Sequence, residues 1–202
     1  MAKIKLTKTE LKAQTDALKR FLRFLPMLQL KKQQLQGEIA GIVAKADAVV
    51  AREKEARTRL DHWVSLFATG GDLLDGLVNV KAVRTSKANI AGVEIPVFDG
   101  IDADVRPIDL WKTPAWLDDA VTALTNILSL QGERAVLEEQ RRRITEELRT
   151  TSQRVNLFEK VKIPACRENI RVIKIAIGDE QTAAVTRGKI AKSRSPGEGE
   201  VA

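Results

Sequence analysis

The chain has no tyrosine, one histidine (His62) and one cysteine (Cys166), and aromatic residues make up 4% of its 202 positions. A single cysteine closes no internal disulfide, and a thiolate zinc site needs more sulfur than this. Cys166 therefore reads as a small helix residue. His62 has no sequence partner that would complete a His-based triad and reads as a surface or satisfied helix residue. No stretch approaches 18 consecutive apolar residues, and the start of the chain, with Lys3, Lys5, Lys8, Glu10 and Lys12, lacks an apolar signal segment. The expected location is the cytoplasm, without direct membrane insertion. Arg187–Ser193 resembles a phosphate loop only loosely, since the first glycine is missing and no strand precedes it. Gly70-Gly71 reads as a helix stop. No catalytic, cofactor-binding or metal-binding set can be assembled, and the expectation is a protein that is not itself an enzyme and needs no cofactor.

Long helices are what the chain has. Leu11, Leu18, Phe21, Leu25, Leu28, Leu35, Ile39, Ile42, Ala46, Val49, Ala56, Leu60, Trp63 and Phe67 fall on one alternating four-three seam. With Leu11 at heptad position a, apolar residues occupy 7 of 9 a sites (11–67) and 7 of 9 d sites (14–70). A seam in phase for that distance implies a helix of about 60 residues, or ~90 Å, against the ~11–12 residues of an average helix. Pro26, Gly37 and Gly41 lie off the seam, and Pro26 is expected to kink the helix. Thr69-Gly70-Gly71-Asp72 supplies the stop.

Residues 70–115 change character. Val78 and Val80 alternate with polar residues, Ile90–Phe98 is rich in β-formers, and Thr85-Ser86-Lys87 between them is a turn candidate. A small β element of two or three strands is expected, followed by an acidic loop at Asp99–Asp104. Trp63, Trp111 and Trp116 flank this insert and read as packing where helices meet the β element. Thr113-Pro114 opens a second helix, with a first stripe at Leu117, Val121, Leu124 and Leu128. A drifted stripe follows at Leu130, Leu137, Ile144, Thr151, Phe158, Ala165 and Val172. Ile170–Gly178 alternates like a strand but reads as helix by continuity. Pro164 predicts a local bend. Glu138-Glu139 and Glu146-Glu147 alternate with Arg141, Arg142 and Arg143 at spacings of three and four, as on a solvated, self-paired helix face.

The expected organisation is an N-terminal coiled-coil helix (1–69), a β-hairpin/loop insert (70–115), a C-terminal coiled-coil helix (116–186) and a disordered tail (187–202). The fold class is mainly α: an antiparallel two-helix coiled coil with a small hairpin-containing insert. The net charge of +7 is uneven, with +7 in residues 1–35, +6 in 160–194, −4 in 70–119 and −2 in the last eight residues. Folding the helices back would pool the two basic ends.

This layout is similar to the D subunit of the V/A-type rotary ATPases, the central rotor shaft. The resemblance is carried by Leu6–Leu11 through Leu28–Leu35, by Asn89-Ile90-Ala91-Gly92-Val93-Glu94-Ile95-Pro96-Val97-Phe98, and by Arg154-Val155-Asn156-Leu157-Phe158-Glu159 through Ile163-Pro164. Pro26 and the Gly178-Asp179 break in the second helix depart from the pattern. The resemblance implies a non-catalytic component that transmits torque between a hexamer of A and B catalytic subunits and a membrane ion-translocating ring. It also implies contacts to the F subunit and a ring adaptor, and so a position peripheral to the membrane.

Two sets of contact residues are expected. Lys19, Arg20, Arg23, Lys31, Lys32, Arg167, Arg171 and Lys174 would face the catalytic head, and Ile90, Val93, Ile95 and Phe98 would contact partners from the insert. A basic coiled coil that binds nucleic acid, or a scaffold, is the alternative. The basic residues lack aromatic interleaving and no groove-reading motif is present, so nucleic acid is not an expected partner.

Overall fold

A computed structural model describes residues 4–61, 76–107, 113–114 and 116–194. The elements are α1 (Lys8–Asp61), β1 (Val78–Ile90), β2 (Val93–Val105), α2 (Trp116–Leu157), a π-helical turn (Phe158–Lys162) and α3 (Ile163–Arg194). The protein is mainly helical, with two long helical arms and a two-stranded antiparallel hairpin between them, as expected. The chain divides into two compact units: a hairpin unit, Lys31–Thr150, and a two-helix unit made of Met1–Leu30 and Thr151–Ala202. The expected helix stop at Thr69–Asp72 lies outside the described residues, as do His62, Trp63, Phe67 and Trp111.

Helix α1 starts where Thr7 caps it. The Thr7 hydroxyl oxygen accepts the Glu10 N–H at 3.3 Å and the Thr7 carbonyl accepts the Leu11 N–H at 3.0 Å, satisfying donors that a helix start leaves free. The helix then runs 54 residues, through Pro26. In the hairpin unit its seam is buried at Leu35, Ile42 and Val49, spaced by sevens, with Glu53 buried on the same face. The arms are antiparallel there, since Lys31 meets Glu147 at 2.6 Å while Arg52 meets Glu133 at 3.0 Å.

The hairpin corrects two expectations. Thr85-Ser86-Lys87 is not a turn but the middle of β1, paired with Phe98, Val97 and Pro96. The chain instead reverses at Ala91-Gly92, whose φ angles of 51° and 83° make a two-residue loop of the left-handed kind that matches strand twist. The Asn89 side-chain oxygen accepts the Gly92 N–H at 2.9 Å and holds that loop closed. Asp99–Asp104 is likewise strand rather than acidic loop. Its charges are met across the ladder, Asp104 by Lys81 at 2.9 Å and Asp102 by Arg84 at 3.6 Å. The polar run in β1 is thus the solvated side of a strand, which a search for apolar alternation mistakes for a turn. Irregularities between Val80 and Ala82 and between Arg84 and Thr85 leave one extra residue on each strand, Lys81 and Asp99.

The hairpin lies along α2. A 13-residue strand spans about 43 Å, and Leu117 to Ile144 spans about 40 Å of helix, so the two lengths match. At one end Leu77, Leu117 and Val121 cluster with Val78 and Trp116; this is the packing role expected of Trp116. Midway, Gly132 lets the sheet approach: a Cβ there would sit 3.2 Å from Ile101 and 3.3 Å from Phe98. Further along, the Gln140 amide donates to the Pro96 carbonyl, and Arg143 donates to the Glu94 carbonyl at 3.2 Å. Ile95 completes the core with Leu35, Ile42, Val49, Leu130, Leu137 and Ile144.

The second arm follows its expected stripe only in part. Leu130, Leu137, Ile144 and Thr151 are buried and Phe158 is half-buried, but Ala165 and Val172 are exposed. Their successors Cys166 and Ile173 are buried instead. The π turn accounts for the shift, because each π turn inserts one residue into the helix and advances everything after it by one. Within that turn the Ile163 N–H bonds the Phe158 carbonyl, five residues back. Pro164, from which a local bend is expected, follows immediately.

Ile170–Gly178 is helix, as read by continuity. Gly178-Asp179 does not break it, and α3 continues to Arg194. The expected tail boundary at 187 is therefore displaced: residues 187–194 are helical. Residues 195–202 lie outside the described part.

Candidate partner-binding surfaces

Many of the described titratable groups are arranged as structural pairs. Glu139 accepts hydrogen bonds from Arg142 and Arg143 at 2.7 Å, and these hold its carboxyl at a pKa of about 2. Arg142 also reaches Glu146 at 2.9 Å, giving the self-paired face read from the sequence. Cys166 is a free, buried thiol, and burial raises its pKa, which keeps it protonated and unreactive. Among the described residues no group of three or more His, Cys, Asp or Glu side chains could hold a metal ion. No helix among them is long and apolar enough to cross a membrane.

The expected basic residues are not all equivalent. Lys19, Arg20, Arg23, Arg167 and Lys174 belong to the two-helix unit, are exposed and form no ion pair among the described residues. Arg171 belongs there too, but it is clamped by the Glu168 carboxylate through bonds of 2.6 and 2.9 Å. That hydrogen-bonded pairing raises the Arg171 pKa and lowers that of Glu168. Lys31 and Lys32 belong to the hairpin unit; Lys31 is committed to Glu147 and Lys32 is half-buried. The eight residues therefore do not form one basic cluster within a single unit.

The apolar insert residues face inward. Ile95 is 3% exposed in the core, Ile90 and Val93 pack against that core, and Phe98 lies against Gly132. The hairpin surface open to a partner is the opposite one, carrying Lys81, Arg84, Lys87, Glu94, Asp102 and Asp104 in cross-strand pairs.

A surface that the seam count overlooks lies on α1. Eight of the ten residues in Phe21-Leu22-Arg23-Phe24-Leu25-Pro26-Met27-Leu28-Gln29-Leu30 are apolar. Phe21, Leu25 and Leu28 are half-buried on the seam, whereas Leu22, Phe24, Met27 and Leu30 are exposed, the last two at 62% and 66%. From the second arm of the same unit, Leu157 and Val161 are exposed as well. A helix that is apolar on all sides is ordinarily buried on all sides, and exposed apolar patches of this kind mark contact surfaces. The signal was available in sequence as composition rather than periodicity.

Two long helical arms, a hairpin laid on one of them and exposed apolar side chains on α1 define a helical protein with surface of the kind that marks contacts. The sequence matches the family of ATP synthase D subunits over residues 10–193, and the chain belongs to that family. It is 46% identical over 193 residues to the V-type ATP synthase D subunit of Borreliella burgdorferi, covering 96% of this chain and 95% of that one. It is 33% identical over 197 residues to the V-type ATP synthase D subunit of Chlamydia muridarum, with 96% of each chain covered. The Chlamydia trachomatis protein of the same name is 32% identical over 197 residues, again with 96% of each chain covered.

Proposed function

We propose that this chain is the central shaft of a V-type ATP synthase, a non-catalytic component that carries torque between a catalytic head of A and B subunits and a membrane ion-translocating ring. The observation that carries the reading is the two-helix unit. Its α1 segment Phe21–Leu30 carries apolar residues on its exposed as well as its seam side, with Arg23 within it and Lys19 and Arg20 just before it, none of the three ion-paired among the described residues. Such a segment suits enclosure by a surrounding partner. An apolar contact covers Leu22, Phe24, Met27 and Leu30, and acidic groups on the partner meet the cations. A shaft drives catalysis only if its contacts differ from one surrounding site to the next, because a ligand shifts an equilibrium only through differential affinity. Exposed cations lie on both helices of the unit, among them Lys19, Arg20 and Arg23 on α1 and Arg167 and Lys174 on α3, so different sides of the unit can present different contacts. The F subunit and a ring adaptor would meet the hairpin unit, through the charged outer face of the hairpin rather than through Ile90, Val93, Ile95 and Phe98.

The test replaces Lys19, Arg20, Arg23, Arg167 and Lys174 with glutamine in the reconstituted complex. Helix content by circular dichroism should be unchanged, while head binding or the coupling of ATP hydrolysis to ion transport falls. Unchanged binding and coupling would overturn the assignment of these residues. A tagged full chain that recovers nucleic acid, or no A and B subunits, from its native extract would overturn the shaft reading itself.

A further inference from the structure

Both helices of the two-helix unit carry a backbone irregularity, and the two flank a single contact. In α1, Pro26 has no N–H, so the Leu22 carbonyl lacks its helical donor. In the second arm, the π turn Phe158–Lys162 replaces four-residue bonding with the five-residue bond from Ile163 to Phe158, and Pro164 then removes a further donor. The Phe21 and Phe158 rings meet at 5.0 Å between centroids, tilted by 43°. Because the arms run antiparallel, with Gln14 bonded to Asn169 at 3.3 Å, the Pro26 gap lies on one side of that ring contact and the π turn on the other.

Packing is also thin on the α1 side of this contact, while the second arm buries Val155, Ile163 and Cys166. The buried residues of α1 are Leu35, Ile42, Val49 and Glu53, all in the hairpin unit, and none lies between Lys8 and Leu30. A stretch with few buried contacts and an interrupted hydrogen-bond ladder is where a structure opens and bends most easily.

We propose that Phe21–Pro26 and Phe158–Pro164 form a compliant joint in the two-helix unit, which yields to bending before the flanking helix does. The joint is a property of the chain alone and stands whether or not the shaft reading holds.

Pulsed electron paramagnetic resonance on the full chain tests it. In a Cys166→Ala background, spin labels are placed at Ala13→Cys and Gln29→Cys, which bracket the proline. A control pair at Gln34→Cys and Val50→Cys lies on regular helix in the hairpin unit. Each pair is ~24 Å apart along the helix. The first pair should give a distance distribution about twofold broader than the control, and Pro26→Ala should narrow it towards the control. Equal widths, or no narrowing, would overturn the α1 half of the joint.

Hydrogen exchange tests the other half. In the unmodified chain, amides of Phe158–Ile163 should exchange about tenfold faster than those of Thr151–Leu157 in the same arm. Deleting the exposed Lys160 restores regular periodicity and should abolish that excess. Equal exchange in the unmodified chain overturns this half of the joint, a comparison that does not depend on the deletion variant folding.

Discussion

The π turn makes a sharp prediction about two neighbouring residues. Without it, Val172 would continue the seam through Phe158 and Ala165, and Ile173 would point outward. With it, Ile173 is fully buried and Val172 is 39% exposed. Ile173→Ala should therefore destabilise the two-helix unit through lost transfer energy and a residual cavity, a cost of about 2–5 kcal/mol in well-packed cores. A two-helix interface collapses around a cavity more readily than a deep core, which puts the expected value at about 2 kcal/mol. Val172→Ala removes two partly exposed methyl groups. It also gains most of the ~0.6 kcal/mol by which alanine exceeds valine in helix propensity, so its net effect lies within about 0.5 kcal/mol of zero. Urea unfolding followed by circular dichroism separates the two. With a slope of about 1–3 kcal/mol per molar, the Ile173 variant should lose on the order of 1 M in midpoint while the Val172 variant hardly moves. A Val172→Ala loss equal to or larger than that of Ile173→Ala would refute the phase shift, and with it the account of why Cys166 rather than Ala165 is buried.

Two further outcomes follow from the hairpin unit. Gly132→Leu should force the hairpin off α2, since even a Cβ meets Ile101 and Phe98 at 3.2 and 3.3 Å; overpacking of about 1–3 kcal/mol outweighs the ~0.8 kcal/mol gained in helix propensity, and faster hydrogen exchange in β1 and β2 would report it. Glu139, held at about 2 by Arg142 and Arg143 against an ordinary 4.5, contributes stability that is complete above pH 4.5 and drains away as pH falls towards 2; Glu139→Gln should flatten the stability profile across that window, as read by thermal melts from pH 5 to 2.

What the sequence made legible was periodic. The seven-residue repeat located both arms, and Thr7 and Thr113-Pro114 placed their starts to within a few residues. What escaped it was anything that depends on a single inserted residue or on a neighbour remote in sequence. The π turn leaves the composition of the stripe unchanged, and only Pro164 hints at it. In the hairpin, Thr85-Ser86-Lys87 carries the polar chemistry of a turn, yet it is the Asn89–Gly92 segment that supplies the left-handed geometry. The acidic run Asp99–Asp104 reads as a loop until Lys81 and Arg84 are seen opposite it. Among the proposed contact residues, Lys19, Arg20, Arg23, Arg167 and Lys174 are exposed. The commitment of Lys31 to Glu147 and of Arg171 to Glu168 depended on geometry for the first and was readable from a three-residue spacing for the second.

The polar positions on the α1 seam explain how a repetitive sequence settles on one register. A seam of apolar residues every seven positions tolerates a seven-residue slide, since one aliphatic contact replaces another. Glu53 occupies an a position and is 5% exposed, a costly site for a carboxylate unless it is paired. It receives Arg57 at 2.6 Å from its own helix, and from α2 it receives Gln131 at 3.3 Å with Arg134 at 3.8 Å. A seven-residue slide would put Leu124 and Ile127 in place of Gln131 and Arg134 in one direction, leaving the buried carboxylate with Arg57 alone, or Glu138 and Arg141 in the other, setting a second carboxylate beside it. In the two-helix unit, Gln14 sits at a d position and meets Asn169 in the same way. Leucine at position 53 would pack as well or better, so the polar residue is accounted for by selection among registers rather than by added stability. That distinction matters in a chain with a proline and a π turn in its other unit. Compliance there does not loosen the alignment of the arms, because alignment is fixed by polar contacts outside the irregular segments, whereas bending draws on the interrupted ladders within them.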